Sequence, residues 1–283
     1  MLLEQTLYIV ATPIGNRDDL SARAIDVLRH VDRIYAEDTR HSLPLLRHHG
    51  IDTRVLALHE HNEEALLSSV LDYLHSGGSA ALISDAGTPL INDPGFRLVR
   101  ACRQAKIRVS PVPGACAVTA ALSVSGLATE RFQFLGYAPH KRAARLAWLR
   151  PLESAGHTQV IYESPHRIVE CLSDIVEVFG EAREMCLARE LTKRFETVLT
   201  GSCSEILANV VSDSNQQKGE FVLIIGGRVQ QEQQNSDVNP ELDRTLLVLL
   251  DYLPVKTAAK AAAELFEINK RAAYDRALVL KGK

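Results

Sequence analysis

Short apolar runs recur along the first part of the chain at Leu7 to Ala11, Arg33 to Glu37, Arg54 to Leu58, Ser79 to Ser84 and Ile107 to Val112, with helical spacing between them. This is a βαβ rhythm. Strands apolar at nearly every position, alternating with helices, predict a parallel sheet covered on both faces. Asn92, Asp93 and Pro94 read as a helix start, a capping side chain ahead of proline, before Phe96, Leu98, Val99 and Cys102. A second series of predicted strands follows at Phe132 to Gly136, Thr158 to Glu163, Glu184 to Ala188, Phe195 to Thr200 and Glu220 to Ile225, forming another α/β unit.

Between Arg228 and Pro240 the chain is polar and reads as a linker. Beyond it Leu242, Leu246, Leu249 and Leu250 repeat at helical spacing. Two further helical stretches run from Lys256 to Phe266 and from Lys270 to Leu280, with Asn269 as the cap of the second. The organisation expected is an N-terminal α/β domain over 1–114, a second α/β domain over 115–228, a linker over 229–240 and a helical module over 241–283.

Composition adds limits. The 283 residues, 46% hydrophobic, suffice for two ordinary cores, and a net charge of -3 leaves nucleic-acid binding to local patches. Such patches exist. From Pro254 onward seven Lys or Arg face three acids, and the span Arg131 to Leu152 holds Arg131, Lys141, Arg142, Arg145 and Arg150 with no acid among them. A solvated helical face or a dimer contact accounts for the tail charges equally well, and Trp148, a base-stacking candidate, has the spacing of a core residue. Cys102, Cys116, Cys171, Cys186 and Cys203 are scattered singly, as suits a reducing compartment. No run approaches the roughly 20 apolar residues that span a bilayer, and no leader pattern opens the chain, so a cytoplasmic protein without a membrane is expected.

In open parallel sheets ligands bind beyond the carboxyl ends of the strands. Thr12 to Asn16 (TPIGN) follows the first strand and Ser84 to Pro89 (SDAGTP) the fourth, each pairing a proline with a glycine. Neither is a P-loop or a dinucleotide-binding turn, which argues against ATP and NAD, although both have the make-up of ordinary strand-to-helix turns. Pro113 and Gly114 lead into Ala115, Cys116 and Ala117, small side chains that suit either ligand access or tight packing. Glu190 and Lys193, three apart after a predicted strand, could act as a catalytic couple, although most such pairs are a salt bridge or an exposed turn. His59, Glu60 and His61 suggest a metal, but an extended segment seldom converges on one ion, and no metal is expected.

Together TPIGN, the run Ser84 to Gly95 (SDAGTPLINDPG) and the turn Pro113 to Ala115 resemble the tetrapyrrole methylase superfamily, the class III S-adenosylmethionine (SAM)-dependent methyltransferases. His59 to Glu63 (HEHNE), Tyr162 to Arg167 (YESPHR), Arg189 to Lys193 (RELTK) and Lys218 to Phe221 (KGEF) resemble one branch of it, whose members methylate the ribose 2'-hydroxyl of cytidine 1402 in 16S rRNA. The resemblance is close over residues 7 to 226.

It implies two α/β domains of the tetrapyrrole methylase type with a SAM cleft between them, a small C-terminal helical module, a homodimer, and 16S rRNA within the small ribosomal subunit as substrate. SAM contacts carry over to Pro13, Asp85, Ala86, Gly87, Cys116 and Ala117, with Ser164 and Leu191 from the second domain, and Asp85 is the polar anchor. Glu190 would accept the ribose proton while Lys193 orients the sugar. RNA contacts are expected from Lys141, Arg142, Arg145, His166, Arg167, Lys270 and Arg271, the last two on a tail that resembles a helix-turn-helix. The competing substrate within the same superfamily is a corrin or siroheme precursor, for which the basic segments and the tail have no evident use.

Overall fold

Strands β1 (Thr6–Val10), β2 (Arg33–Ala36), β3 (Val55–Ala57), β4 (Ser79–Ile83) and β5 (Arg108–Val112) form one sheet in the order β3-β2-β4-β1-β5, parallel at every pairing. This computed structural model describes residues 4–228, 240–266 and 268–282. The chain separates into two compact units, Met1–Arg228 and Val229–Lys283. The expected linker over 229–240 lies almost wholly outside the described residues.

Every residue of β4 is buried, which is why Ser79 to Ser84 reads as an unbroken apolar run. Helices α1 (Ala22–His30) and α2 (Thr39–His48) cover one face, where Leu28 and Leu46 meet Val10, Ile34 and Ile83. On the other face α3 (Glu63–His75) and α4 (Phe96–Gln104) bring Leu74 and Leu98 against Leu7 and Leu82. The cap of α4 differs from expectation. Gly95, at φ 120°, is the capping residue, and neither Asn92 nor Asp93 caps this helix. The first turn is served from outside: the buried Glu63 carboxylate accepts a hydrogen bond from the Leu98 amide at 2.8 Å. A carboxylate fits there because the amino end of a helix carries unsatisfied amides and partial positive charge. Glu63 is thus a structural member of the HEHNE segment. Asn62 shapes the rest, accepting from the His59 amide at 2.8 Å and donating to the Ala57 carbonyl at 3.2 Å.

The second sheet holds β6 (Phe132–Tyr137), β7 (Thr158–Glu163), β8 (Glu184–Arg189), β9 (Thr197–Ser202) and β10 (Phe221–Ile225) in the order β6-β7-β10-β8-β9. Only β6 and β7 run parallel; β10 is antiparallel to both of its neighbours, and β8 and β9 form an antiparallel pair. β9 starts two residues later than its sequence pattern suggests, because Phe195 sits in the β8–β9 connection at 63% exposure. Helix α5 (Ala117–Val124) packs Val118, Ala121 and Leu122 on one face. Helices α6 (Arg142–Leu149), α7 (Ile168–Phe179) and α8 (Cys203–Ser212) cover the other, around Leu149, Ile161, Leu172, Ile206 and Leu223. Trp148 packs against this second core.

The Val229–Lys283 unit contains α9 (Pro240–Tyr252), α10 (Val255–Leu265) and α11 (Lys270–Lys281). Leu246 and five alanines, Ala259, Ala262, Ala263, Ala273 and Ala277, make its core. Side chains this small let helices approach closely. Asn269 caps α11 as expected, accepting from the Arg271 amide at 2.8 Å, and Arg276 of α11 pairs with Asp243 of α9. Among the described residues no helix is long and apolar enough to cross a membrane.

Candidate active-site cleft

The two strand-end loops picked out from the sequence are joined to each other. Thr12 and Gly87 exchange backbone hydrogen bonds, 2.8 Å from the Thr12 amide and 3.0 Å from the Gly87 amide, and the Thr12 hydroxyl donates to the Ser84 carbonyl at 3.1 Å. Gly87 holds φ at 85°, where a side chain is strained, and a Cβ there would press on Ile14 Cγ2 at 3.3 Å. Thr88 ties the same loop to the start of α5 by donating to the Ala115 carbonyl at 3.0 Å. The two sheets meet at Gly15: an added Cβ would lie 2.5 Å from Lys193 Cγ and 3.0 Å from the Leu191 carbonyl oxygen. Asn16 secures the contact by donating its amide to Thr192 Oγ1 at 3.0 Å.

Between these loops and the second sheet lies a cavity of about 260 Å³. Asp85, Ala86, Gly87, Cys116, Ala117 and Leu191, all expected cofactor contacts, line it, with Tyr162 and Val222 on the opposite wall. Pro13 lies in a neighbouring cavity of about 270 Å³ that shares Ile14, Asp85, Ala86 and Glu220 with the first. Ser164 lines neither. Its hydroxyl accepts from Arg167 and its amide donates to Glu163, so it belongs to the support behind β7.

Two further acids, not among the expected cofactor contacts, also line the cleft. Glu37, just past the carboxyl end of β2, and Asp93, read as a helix cap, both line the cavity beside Asp85. Burial, and then the charge of Asp85, raise Glu37 above the ordinary carboxylate range. Burial is the main cause lifting Asp93 to about 6; the Ser84 hydrogen bond opposes it, and the charges of Glu37 and Asp85 add to it. Glu37 was findable by applying the strand-end rule to β2 as well as to β1 and β4. Asp93 was hidden, because a carboxylate before proline reads locally as a cap. Asp85 is fixed from two sides, accepting from the Asp38 amide and contacting His41 Nδ1, each at 3.1 Å.

Glu190 and Lys193 do meet. Glu190 Oε1 accepts from Lys193 Nζ at 3.0 Å and from the Glu220 amide at 2.9 Å, and Lys193 also donates to Glu220 Oε2 at 2.7 Å. Burial alone raises Glu190, yet the Glu220 amide and Lys193 outweigh it and leave the carboxyl below its usual range. Burial likewise opposes the Lys193 charge, and the two glutamates more than restore it. A carboxylate already holding two donors is a poor proton acceptor. Lys193 faces the second cavity together with Arg17 and His41.

The expected RNA contacts divide. Arg145 is fully buried, with Nε 2.7 Å from Asp174 Oδ2, so it is a core ion pair rather than a surface contact. Arg142 is tied to Asp174 and Glu177, and Arg167 to Glu163 at 2.6 Å. Two of the five cations in the acid-free stretch, Arg142 and Arg145, are thus answered by Asp174 and Glu177 of α7, a neighbour that its own sequence does not reveal. Lys141 and His166 remain exposed. On the helical tail Lys270 and Arg271 join Lys256, Lys260 and Tyr274 around one surface groove. Among the described residues no group of His, Cys, Asp and Glu is arranged to hold a metal ion.

The parallel sheet, the mixed sheet and the acid-lined cleft between them define the class. Residues 6–207 match the family model of the Tetrapyrrole (Corrin/Porphyrin) Methylases, and residues 236–281 match that of the RsmI C-terminal HTH domain. Solved structures agree in fold: a uroporphyrin-III-C-methyltransferase from Thermus thermophilus, 20% identical, superposes with a TM-score of 0.54 over 78% of this chain and 94% of that one. The Thermus thermophilus enzyme complexed with S-adenyl homocysteine, at 18% identity, gives 0.53 over 78% and 97%.

Curated proteins called ribosomal RNA small subunit methyltransferase I are much nearer in sequence. That of Escherichia coli O157:H7 is 49% identical over 98% of this chain and 96% of its own length, and that of Pseudomonas aeruginosa 49% identical over 98% of each. The Xylella fastidiosa (strain Temecula1) protein is 51% identical over 95% and 97%. The chain belongs to the tetrapyrrole methylases and, within them, to the family of ribosomal RNA small subunit methyltransferase I.

Proposed function

We propose that this protein transfers a methyl group from SAM to the ribose 2'-hydroxyl of cytidine 1402 in the 16S rRNA of the small ribosomal subunit, as a cytoplasmic homodimer. The observation that carries this reading is an acid-lined cleft sharing a wall with a second cavity that presents Lys193, His41 and Arg17. SAM carries a positive sulfonium and an ammonium, so Glu37, Asp85 and Asp93 supply the negative charge and hydrogen-bond acceptors that a cationic ligand needs. Ala86, Gly87, Cys116 and Ala117 leave the room. When bound, SAM supplies an electrophilic methyl carbon.

The residues around the second cavity then hold the acceptor oxygen in line with that carbon. Lys193, fixed by Glu190 and Glu220, places an ammonium where charge develops as the hydroxyl loses its proton. Glu190 positions this lysine. His41, its Nδ1 against Asp85 Oδ2, is the wall residue with a ring nitrogen left to take the proton. The names and near-full-length identity of the relatives favour rRNA over a tetrapyrrole. Transfer of labelled methyl to small subunits lacking this modification, with the modified ribose mapped, tests the reading. Label on a siroheme precursor and none on rRNA would overturn it, and sedimentation of the purified protein tests the dimer.

A further inference from the structure

A third cavity, of about 740 Å³, lies on the far side of Glu190 and is formed by the β8–β9 connection and the segment before β10. Nothing in the reaction described above uses it. Its mouth carries Phe195, which is 63% exposed, and Arg194, whose guanidinium carbon stands 5.5 Å from the Phe195 ring centroid. An exposed aromatic ring beside a cation is well suited to stack a base.

The pocket is pre-built. Arg189, buried in its floor, ties the two walls by donating to the Lys218 carbonyl at 2.7 Å and the Phe195 carbonyl at 2.9 Å. Lys218 holds its ammonium against Asn215 Oδ1 at 3.1 Å, adding a second accessible cation. The negative charges in the wall are already engaged: Glu190 by Lys193 and the Glu220 amide, Glu196 by the Thr192 amide at 2.6 Å. Gly219, at φ 95°, lets Glu190 lie flat against it, since a Cβ there would fall 2.5 Å from the glutamate. Glu190 therefore partitions this pocket from the cavity that Lys193 faces, and Lys193, Arg194 and Phe195 are consecutive in the chain.

We propose that the Arg194–Phe195 pocket receives the base of an unpaired nucleotide neighbouring the target ribose, stacking it on Phe195 while Arg194 and Lys218 hold its phosphate. The inference rests on the rRNA reading. It makes the β8–β9 connection a single device, with Lys193 at the reacting sugar and the next two residues gripping the adjacent nucleotide. This grip selects an RNA whose strand is locally unstacked.

The experiment is steady-state methyl transfer to unmethylated small subunits by the full-length protein and its Phe195→Ala, Phe195→Trp, Phe195→Leu and Arg194→Ala variants, with SAM affinity measured alongside. Removal of one base stack should raise KM for the subunit about tenfold or more in Phe195→Ala and Phe195→Leu, with kcat and SAM affinity within about twofold. Phe195→Trp should restore KM, and Arg194→Ala should raise it while flattening its salt dependence. Unchanged KM in Phe195→Ala overturns the subsite, as does a KM that Leu restores as well as Trp, because that marks plain apolar packing. A change in sedimentation by Phe195→Ala also overturns it and assigns the ring to contact with a second copy. If the wild-type protein methylates no rRNA at all, the proposed function fails before the subsite is tested.

Discussion

Gly15 and Lys193, 178 positions apart in the chain, pack so closely that a single methyl group on the glycine would stand 2.5 Å from the lysine Cγ. This packing sets the depth at which the β8–β9 connection sits over the loop after β1. Gly15→Ala should therefore displace Lys193 before it disturbs the cofactor cleft. Kinetics should show kcat lowered by about a hundredfold, the scale of a misplacement near 1 Å, with SAM affinity changed far less. Equal loss of both would mean that Gly15 only holds the fold together.

Lys193 and Glu190 should separate in function. Lys193→Met is expected to lower kcat by about a hundredfold or more, the usual cost of removing a group that stabilises developing charge. Glu190→Gln, which leaves Glu220 to hold the lysine, should lower kcat only severalfold. Turnover abolished in Glu190→Gln with SAM binding intact would restore the glutamate as proton acceptor. His41→Asn should lower kcat by about a hundredfold with SAM affinity changed far less, and unchanged turnover would exclude His41 from proton transfer.

Asp93 should link cofactor affinity to pH. Its carboxyl titrates at about 6 in the folded protein against 3.8 for the free side chain. A bound cation favours the ionised form, so SAM affinity should rise as pH increases through 6 and level off above 7. Asp93→Asn should lower affinity above pH 7 and abolish most of that rise. The effect on the empty protein has the opposite sign, because a raised carboxyl pKa means that ionisation costs folding energy. Asp93→Asn should gain about 1 kcal/mol of stability above pH 6, after allowance for solvent screening, and the gain should vanish below about pH 4. Calorimetry and denaturant titration between pH 4 and 8 check both signs.

Arg145→Ala leaves Asp174 inside the second core with only Arg142 to answer its charge. A loss of about 3 kcal/mol is expected, in keeping with half of a buried ion pair being removed. RNA affinity of the protein that remains folded should not change. A selective loss of RNA binding without loss of stability would return Arg145 to the surface role first expected of it.

The cations around the tail groove, Lys256, Lys260, Lys270 and Arg271, should act through phosphate. Replacing all four by alanine is expected to weaken binding to the small subunit and to shallow the salt dependence by about 0.7 to 0.9 for each phosphate no longer neutralised. SAM affinity should stay as it was. Unaltered RNA binding would make the tail a packing element.

Much of this was legible in one dimension. Nine of the ten strands lie within a residue or so of their apolar runs, because a buried parallel strand must be apolar throughout and a strand under a helix layer nearly so. Asp85, Ala86, Gly87, Cys116, Ala117 and Leu191 line the cavity, as the strand-end rule led one to expect, because a loop that follows a strand keeps its wall residues within a few consecutive positions. Phe195 broke its pattern: an aromatic two residues ahead of the β-branched pair Thr197 and Val198 reads as a strand start, and only the turn geometry puts it in water.

By itself, then, the sequence determined the elements, their alternation and the loops where a ligand would bind, all of which follow from periodicity and backbone preference over short spans. The tertiary structure decided which charges are available. Arg145, Arg142 and Arg167 look free until acids on or leading into α7 fold against them, and Glu37 and Asp93 look ordinary until burial and Asp85 raise their affinity for protons. Coulomb energy and desolvation depend on distance and surroundings in space, so residues far apart in the chain set each other's charge, and local pattern carries no trace of it.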